Sequence, residues 1–165
     1  MATTSLIHPF IRVSIAEQKL FYTDSNGLET VYSISTAKNG AGERSGSGCT
    51  PRGKHVIRAK IGTGAPLNAV FVGRRLTGEI YNPELAASFP ERDWILSRIM
   101  WLSGCEPGRN RLGECDSMRR YIYIHGTPDT EPMGVPLSHG CIRMRNTEVV
   151  ALFERVQLGL CVLIE

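Results

Sequence analysis

The sequence predicts a single, mainly β domain with a sandwich-like architecture, one helix near its C-terminal end and long loops between the strands. Many short segments alternate apolar and polar residues with the period of two that half-buried strands show. Only one longer segment, close to the end of the chain, has the spacing of an apolar helix face. Of the 165 residues, 42% are hydrophobic and 21% are charged, and no repeat or linker interrupts them. We therefore expect one domain over residues 1–165.

The strands are predicted from this alternation and from the turn residues between them. Ile11, Val13 and Ile15 alternate with polar residues, and Asn26-Gly27 marks a tight turn because this pair accepts positive φ. Residues 94–102 are mostly apolar, as expected for a central strand covered on both faces. The other predicted strands are residues 19–23, 29–35, 54–61, 69–75 and 160–164.

The helix is predicted to begin with Asn146 as its N-cap and to end at Gly159. Its apolar face consists of residues three and four positions apart, namely Val149, Val150, Leu152, Phe153 and Val156. One further helical turn is expected at residues 84–88, ended by Pro90. Cys161 lies in the apolar run after the main helix and is predicted to be buried and inert.

Composition excludes several classes of function. The net charge of +3 comes without a basic stripe, which argues against nucleic acid and suits a substrate rich in carboxylates. No segment is long enough to span a membrane, and residues 1–11 lack the parts of a leader peptide, so we expect a cytoplasmic protein. Five irregularly spaced cysteines predict no disulfide framework, and Cys105 and Cys115 are expected to pair only if oxidised.

The segment 121–144 carries the candidate chemistry. It begins as an alternating strand that contains His125, breaks into a loop rich in glycine and proline, and closes on the run 138–141. A thiol attacks as thiolate, and only about 3% of a free cysteine is ionised at neutral pH, so a neighbouring imidazole that takes the proton activates it. This pattern predicts Cys141 as a nucleophile, with Gly140 leaving room for the backbone to approach a substrate.

Two alternatives stay open on these residues alone. An isolated cysteine or histidine is more often a structural residue, and we expect His55 to be a structural or a surface histidine. His125, His139 and Cys141 are also acceptable zinc ligands, although a structural zinc site needs four ligands and the sequence has no CxxC or HxxxH spacing. The glycine-rich residues 38–50 match no phosphate-binding loop because no GKS or GKT follows, and we interpret them as a mobile loop. No metal or cofactor is predicted.

The stretches HGT and SHGCIRM are similar to the signature of the L,D-transpeptidase catalytic domain, the YkuD family. The run Thr50-Pro51-Arg52-Gly53 resembles the entry to one strand of that family, and residues 95–102 and 119–125 resemble two more of its strands. The resemblance implies a YkuD-like β-sandwich with long loops over the active site. It also implies that His125 is the base and that the backbone carbonyl of Gly126 orients its ring. The linker between His125 and Ser138 is shorter than in many members.

General chemistry suggests catalytic or binding roles for the residues next to Cys141. An oxyanion needs preorganised donors, and the backbone amides of Gly140 and Cys141 are the candidates, with His139 close by. Arg143 would leave an extended chain on the same face as Cys141. It is either an anchor for a substrate carboxylate or a surface arginine paired with a nearby acid, and both alternatives stay open.

The walls of the substrate groove are predicted from position in the chain. Tyr123 lies two residues before His125 on the same face of the strand and is expected to line the pocket. Ser138 is a further predicted substrate contact. The long loop 103–116 is a candidate wall of the groove because long loops inside compact domains often bind ligands.

The substrate follows from the resemblance. It implies peptidoglycan stem peptides, cut at the L,D bond before a terminal D-alanine through a thioester on Cys141, and covalent adducts with carbapenems. Because no leader is visible, water is the expected acyl acceptor, which makes the protein an L,D-carboxypeptidase of cell-wall recycling. The alternatives are an L,D-transpeptidase that forms 3-3 crosslinks, a muropeptide-binding module without catalysis, and a metal protein. Neither nucleic acid nor a membrane is an expected partner.

Overall fold

The computed structural model of the protein describes residues 7–165. The prediction about a leader peptide concerned residues 1–11, of which residues 1–6 lie outside the described residues. The described chain forms strands separated by turns and two α-helices. The strands are β1 Phe10–Ser14, β2 Lys19–Thr23, β3 Glu29–Ser33, β4 Gly53–Ile61, β5 Ala69–Val72, β6 Arg75–Ile80, β7 Ile95–Gly104, β8 Tyr123–Thr127, β9 Ile142–Arg145 and β10 Cys161–Ile164. The helices are α1 Pro83–Ser88 and α2 Asn146–Arg155.

The strands belong to one curled ten-stranded sheet, which confirms the predicted mainly β fold. The main path runs β3-β2-β1-β10-β4-β7-β5-β6. The long strand β7 pairs with β8 on one side, and on its other side it pairs with β5 near its start and with β4 further along. The strand β9 then continues the sheet from β8. The pair β8 and β9, which carries the candidate site, therefore branches from the middle of the sheet.

The first and last strands lie side by side. Strand β10 pairs in parallel with β1, where Ile11 faces Val162, and antiparallel with β4, where His55 faces Val162. Between β1 and β10 the amide of Glu165 donates to the carbonyl of Val13 at 2.9 Å, and the amide of Ile15 donates to the carbonyl of Glu165 at 2.8 Å. Strand β10 is thus an interior strand of the sheet.

The core fills the concave side of the curled sheet and is closed by α2. Val149, Leu152 and Phe153 of α2 are buried against strand residues in one large apolar cluster. Burying a large apolar side chain is worth about 1.5–3 kcal/mol, so this face accounts for the position of the helix. The apolar helix face predicted from the sequence is confirmed.

The predicted N-cap of α2 is wrong. Asn146 is the first residue of the helix, and the cap position belongs to Arg145, which makes no side-chain cap bond. The Asn146 side chain is buried instead. Its amide donates to the Thr127 carbonyl at 2.8 Å, and its oxygen accepts from the Ser97 hydroxyl at 2.6 Å. Buried hydrogen bonds that join α2, β7 and β8 outweigh a cap exposed to water.

Three other local predictions need correction. Residues 69–75 form a strand and then a turn, because Gly73 and Arg74 have φ of 55° and 64° and start the hairpin to β6. Strand β3 ends at Ser33, and Ser35 instead bridges to Arg143 beside the candidate site. Cys161 is exposed, because the alternation along β10 turns Val162 and Ile164 inward.

The loop after β7 packs on β4. The Asn110 amide donates to the carbonyls of Arg52 and Lys54, both at 3.0 Å. His55 is fully buried and its Nε2 lies 2.8 Å from the Ser117 hydroxyl, which confirms its predicted structural role. Cys105 and Cys115 are both free thiols.

Candidate active site

The parallel pairing of β8 and β9 brings the predicted site residues together. Ile124 faces Ile142 and His125 faces Arg143 across this pair. Side chains alternate along a strand, so Tyr123, His125 and Arg143 leave the sheet on one face. Cys141 lies one residue before β9 and completes this face, since its Sγ accepts a hydrogen bond from the Tyr123 amide at 3.3 Å. His125 is therefore diagonal to Cys141 across two hydrogen-bonded strands.

The Cys141 thiol is neutral in this structure. Its Sγ donates to the carbonyl of Tyr121 at 3.2 Å. Burial raises the pKa of the Cys141 thiol to about 12; the Tyr123 amide and Arg143 work against the rise and Asp93 adds to it. A thiol with so raised a pKa is almost entirely protonated at neutral pH, so attack needs a base that removes the proton.

His125 has the protonation state that such a base needs. The ring is buried, and its Nδ1 lies 2.7 Å from the Gly126 carbonyl, which can only accept a hydrogen bond. Nδ1 therefore carries the proton and leaves Nε2 as the free acceptor. Burial lowers the pKa of His125 below its ordinary value of 6.5, although the Gly126 bond and Asp93 oppose the shift. The ring is neutral at physiological pH, and the bond expected from Gly126 is present.

Gly126 is fixed by packing as well as by its bond to the ring. A Cβ at this position would collide with the Asn146 side-chain oxygen and with the Leu96 carbonyl. Strand β7 and the start of α2 thus press directly on the backbone next to His125. Any larger residue here would displace the strand that carries the base.

The turn 138–141 is held from inside and from behind. The Ser138 hydroxyl donates to the Cys141 carbonyl at 2.6 Å and accepts from the Gly140 amide at 3.3 Å. Behind the turn, the Thr50 hydroxyl donates to the Gly140 carbonyl at 2.9 Å. Gly140 has φ of 138°, a conformation that other residues rarely adopt.

Two predicted roles change with this turn. Ser138 is 2% exposed and both of its bonds stay within the turn, so its burial does not fit a substrate contact. The Gly140 amide is engaged by Ser138, which removes it from the predicted oxyanion donors. Within residues 7–165 the amides of His139 and Cys141 donate to no protein acceptor and remain available.

Asp93 lies against the site although no sequence pattern singled it out. Its two oxygens meet Nη2 of Arg143 at 3.0 Å and Nδ1 of His139 at 3.4 Å. Burial alone would raise the pKa of the Asp93 carboxyl, but His125, Arg143 and His139 hold it below its ordinary value. Arg143 is thus paired with an acid, as one of its two predicted alternatives required, but its side chain is only 10% exposed rather than at the surface.

A cleft of about 430 Å³ opens beside His139. Its lining comes from the glycine-rich loop, residues 38–50, and from the chain before β8, and consists of Ser45, Gly46, Gly48, Arg119, Arg120, Ile122 and His139. Arg120 fastens the glycine-rich loop, because its guanidinium donates to the carbonyls of Gly42, Glu43 and Cys49, the last at 2.6 Å. The loop that we interpreted only as mobile is therefore a wall of the cleft.

The loop 103–116 does not line this cleft, contrary to the prediction. It supports the glycine-rich loop from behind, where the Ser45 amide donates to the Glu114 carbonyl at 2.6 Å. A larger cleft of about 600 Å³ lies between the end of α2 and the start of β10 and contains none of the predicted site residues.

The Tyr123 ring extends the site towards the β5–β6 hairpin. The ring is 4% exposed and meets Trp101 edge to face, with 5.8 Å between the ring centres. Its hydroxyl accepts from Arg74 at 3.0 Å. Tyr123 is not among the residues that line the cleft beside His139, contrary to the prediction; its amide binds Cys141 and its hydroxyl binds an arginine of the hairpin turn.

Neither a metal centre nor a membrane-spanning helix is found in the part of the chain that the structure describes. No group of three His, Cys, Asp or Glu side chains among residues 7–165 is placed to hold a metal ion, His125, His139 and Cys141 included. No helix in the same range is both long and apolar enough to cross a bilayer.

Three residues of the site were missed by sequence reasoning: Thr50, Arg74 and Asp93. Thr50 belongs to the run Thr50-Pro51-Arg52-Gly53 that resembles a family motif, and this was the one available signal. Arg74 and Asp93 reach the site across 49 and 50 positions of the chain, and nothing in their local sequence marks them.

Residues 8–164 match the model of the YkuD family, described as the L,D-transpeptidase catalytic domain. The chain is 28% identical to YqjB of Bacillus subtilis (strain 168) over 156 residues, which are 94% of this chain and 70% of that protein. It is 45% identical to YbiS of Escherichia coli (strain K12) over 40 residues, 24% of this chain and 13% of that protein. The names of both relatives assign them only provisionally to the L,D-transpeptidases.

Solved structures share the fold. L,D-transpeptidase 3 from Mycobacterium tuberculosis, in complex with a faropenem-derived adduct, superposes with a TM-score of 0.59 at 15% identity, covering 95% of this chain and 60% of that one. An L,D-transpeptidase from Mycobacterium smegmatis gives 0.55 at 18% identity, covering 96% and 58%. This chain thus spans about three fifths of each structure. With the family match over residues 8–164, the chain belongs to the YkuD family of L,D-transpeptidase catalytic domains, which act on peptidoglycan.

Proposed function

We propose that this protein is a cysteine L,D-carboxypeptidase that removes the terminal D-alanine from peptidoglycan stem peptides. The observation that carries the proposal is the state of His125. Its Nδ1 is committed to the Gly126 carbonyl, so a neutral Nε2 is left as a base on the same face as the Cys141 thiol. Family membership supplies the substrate class.

The reaction follows from these two groups. Nε2 of His125 takes the thiol proton, and the Cys141 thiolate attacks the carbonyl carbon of the third residue of the stem peptide. The tetrahedral intermediate collapses as its C–N bond breaks, and the imidazolium returns the proton to the departing amine of D-alanine. Water, deprotonated by the same ring, then attacks the thioester and releases the shortened peptide and the free thiol.

The negative oxygen of each intermediate needs fixed donors. The free amides of His139 and Cys141 are our candidates, since the Gly140 amide already donates to Ser138. Removing one such donor typically costs about 2.7–4 kcal/mol of barrier, so the turn must be held firmly. Thr50 and Ser138 hold it through the backbone carbonyls of Gly140 and Cys141.

Water is our proposed acyl acceptor. The cleft beside His139, about 430 Å³, falls within the range of ligand pockets, about 300–1,000 Å³, and offers room for part of a stem peptide. Transfer to the amine of a second stem, giving a 3-3 crosslink, is the alternative, and the description of the matching family favours it. We place the activity in the cytoplasm, in wall recycling, which cell fractionation followed by immunodetection tests.

The deciding experiment is incubation of the protein with a free tetrapeptide, followed by mass analysis of the products. Tripeptide and D-alanine support the carboxypeptidase, and crosslinked dimers transfer the assignment to a transpeptidase. Cys141→Ala should abolish either product. Cys161→Ala is the matched control, because that thiol is exposed and lies outside the cleft that contains His139.

Carbapenems provide a second readout. Solved relatives include a structure in complex with imipenem and one with a faropenem-derived adduct. We expect intact-mass analysis to show a carbapenem adduct of this protein that Cys141→Ala loses and Cys161→Ala retains. A protein that binds muropeptides but takes no adduct and yields no product would be a binding module instead.

A further inference from the structure

Arg74 is held in a fixed position although it lies in a hairpin turn. Its guanidinium carbon is 4.7 Å from the ring centre of Trp101 and 4.8 Å from that of Tyr121. One of its nitrogens, Nη1, donates to the Tyr123 hydroxyl at 3.0 Å. Two ring faces and one hydrogen bond therefore fix the orientation of the fork, as cation–π contacts with arginine do in rigid binding sites.

This guanidinium has no acidic partner among the described residues. Neither Nε nor Nη2 of Arg74 donates to a protein acceptor in residues 7–165, and no carboxylate there lies within 4.0 Å of it. Arg143 differs in each respect, since it is bound by Asp93 and by the Leu137 carbonyl and is nearly buried. Between Arg74 and Arg143, Arg74 is therefore the arginine with free donors.

Arg74 is also separated from the nucleophile by a single residue layer. The Tyr121 carbonyl and the Tyr123 amide, from the two tyrosines that contact Arg74, are the two groups that bind the Cys141 thiol. The Tyr123 side chain and Cys141 belong to the same packed cluster. A ligand group bound at Arg74 would thus be separated from the Cys141 thiol by the residue Tyr123.

We propose that Arg74 is the anchor for a carboxylate of the substrate and so determines its specificity. This inference rests on the proposed function for the identity of the peptide. Two carboxylates of a stem peptide have the right chemistry: the α-carboxylate of the terminal D-alanine, and the side-chain carboxylate of a third residue such as diaminopimelate. A preorganised guanidinium binds either one with charge-assisted hydrogen bonds and loses little side-chain entropy in doing so.

The test measures peptide binding to protein carrying Cys141→Ala, so that no turnover is needed. Three tetrapeptides are compared by titration calorimetry: the free acid, the C-terminal amide, and the amide of the third residue's side-chain carboxylate. We expect one of the two amides to bind about 10- to 100-fold more weakly than the free acid, the usual effect of losing a hydrogen bond to a charged group. The amide that loses affinity identifies which carboxylate Arg74 holds.

Substitutions then assign the effect to Arg74. Arg74→Gln should weaken binding of the free acid to the level of the sensitive amide and abolish the difference between them. The neighbouring Arg75 is exposed and makes none of these ring contacts, so Arg75→Gln is the matched control and should leave all affinities unchanged. Glutamine has the same backbone cost as arginine at the positive φ of this position, 64°.

The inference fails if the Cys141→Ala protein, with Arg74 intact, binds all three peptides with the same affinity. It also fails if Arg74→Gln weakens all three by one common factor, which would mean that the arginine only fastens the hairpin. Release of D-alanine by the protein with Cys141 intact tests the proposed function separately. The protein can release no D-alanine and still bind the peptides differently, or release D-alanine and bind them equally, so the two proposals can fail independently.

Discussion

Replacing Thr50 by valine should destabilise the fold and slow the chemistry of Cys141 together. The Thr50 side chain is fully buried, and its hydroxyl accepts from the Ala37 amide and donates to the Gly140 carbonyl, both at 2.9 Å. Valine has nearly the same shape, so no cavity forms. The substitution leaves one amide and one carbonyl buried without partners.

The expected loss follows from these two groups. A buried polar group that loses its partner costs about 1–3 kcal/mol, so the two groups together should lower the free energy of unfolding of Thr50→Val by about 2–6 kcal/mol. The Gly140 carbonyl belongs to the turn that presents Cys141, and a turn free to rotate loses the alignment of its amides. We therefore expect acylation by a carbapenem to slow by at least about tenfold, which corresponds to 1.4 kcal/mol.

Urea unfolding followed by tryptophan fluorescence measures the first effect, and the rate of adduct formation measures the second. Thr50→Ser is the matched control, because it keeps the hydroxyl and removes only a methyl group. It should retain most of the stability and nearly all of the acylation rate. If Thr50→Val unfolds at the same urea concentration as Thr50→Ser, the hydroxyl does not hold the turn and our account of it is wrong.

Three further predictions concern charge at the site and in the fold. Asp93→Asn removes a negative charge that raises the pKa of His125, so the acid limb of the pH–rate profile should move to lower pH. Stability should fall as the pH drops below 6.5, because burial lowers the pKa values of His55 and His125 and the unfolded chain then binds more protons; thermal unfolding across pH measures this. Arg120→Lys replaces a fork that holds three carbonyls, so limited proteolysis should cut the glycine-rich loop about tenfold faster or more, while Arg119→Lys should not change the rate.

Each of these has an outcome that contradicts it. Glu91 is exposed, and Glu91→Gln should leave the pH–rate profile in place; an equal shift in both variants would mean that general charge, not Asp93, sets the limb. His55→Gln should flatten the dependence of stability on pH, and an unchanged slope would remove His55 from the explanation. Equal proteolysis of the two arginine variants would show that the fork of Arg120 is dispensable.

Alternation and apolar runs predicted most of the strands that have buried residues, but not β9, Ile142–Arg145, where three of the four residues are buried. Strand β7, Ile95–Gly104, was found because most of its residues are apolar, and seven of its ten residues are buried. Strand β6, Arg75–Ile80, was missed because none of its residues is fully buried, and its sequence RLTGEI shows no apolar face. Where a strand is held by backbone hydrogen bonds and buries no side chain, its sequence shows no pattern from which the strand can be predicted.

The site was predictable to the extent that it is local. Tyr123, His125, Cys141 and Arg143 share a face because of strand periodicity, which the sequence shows directly. The acid that pairs with Arg143 is 50 positions away, and only the assembled sheet brings it there.

The role of Ser138 could not be deduced either. From the sequence, its hydroxyl could bind either a substrate or the backbone of the turn. In the structure it is buried and binds the backbone of the turn. Residue types at a site are thus readable from sequence, while the partners that orient them are set by packing across the domain.

The interior place of β10 has a consequence for how the domain is synthesised. A nascent chain that ends before Cys161 has already made β1 and β4, but the strand that joins them is missing. Both would then expose unpaired amides and carbonyls to other chains, as open sheet edges do. The sheet closes only when residues 161–164 have left the ribosome, so we expect truncation before Cys161 to give aggregation rather than a smaller, working domain.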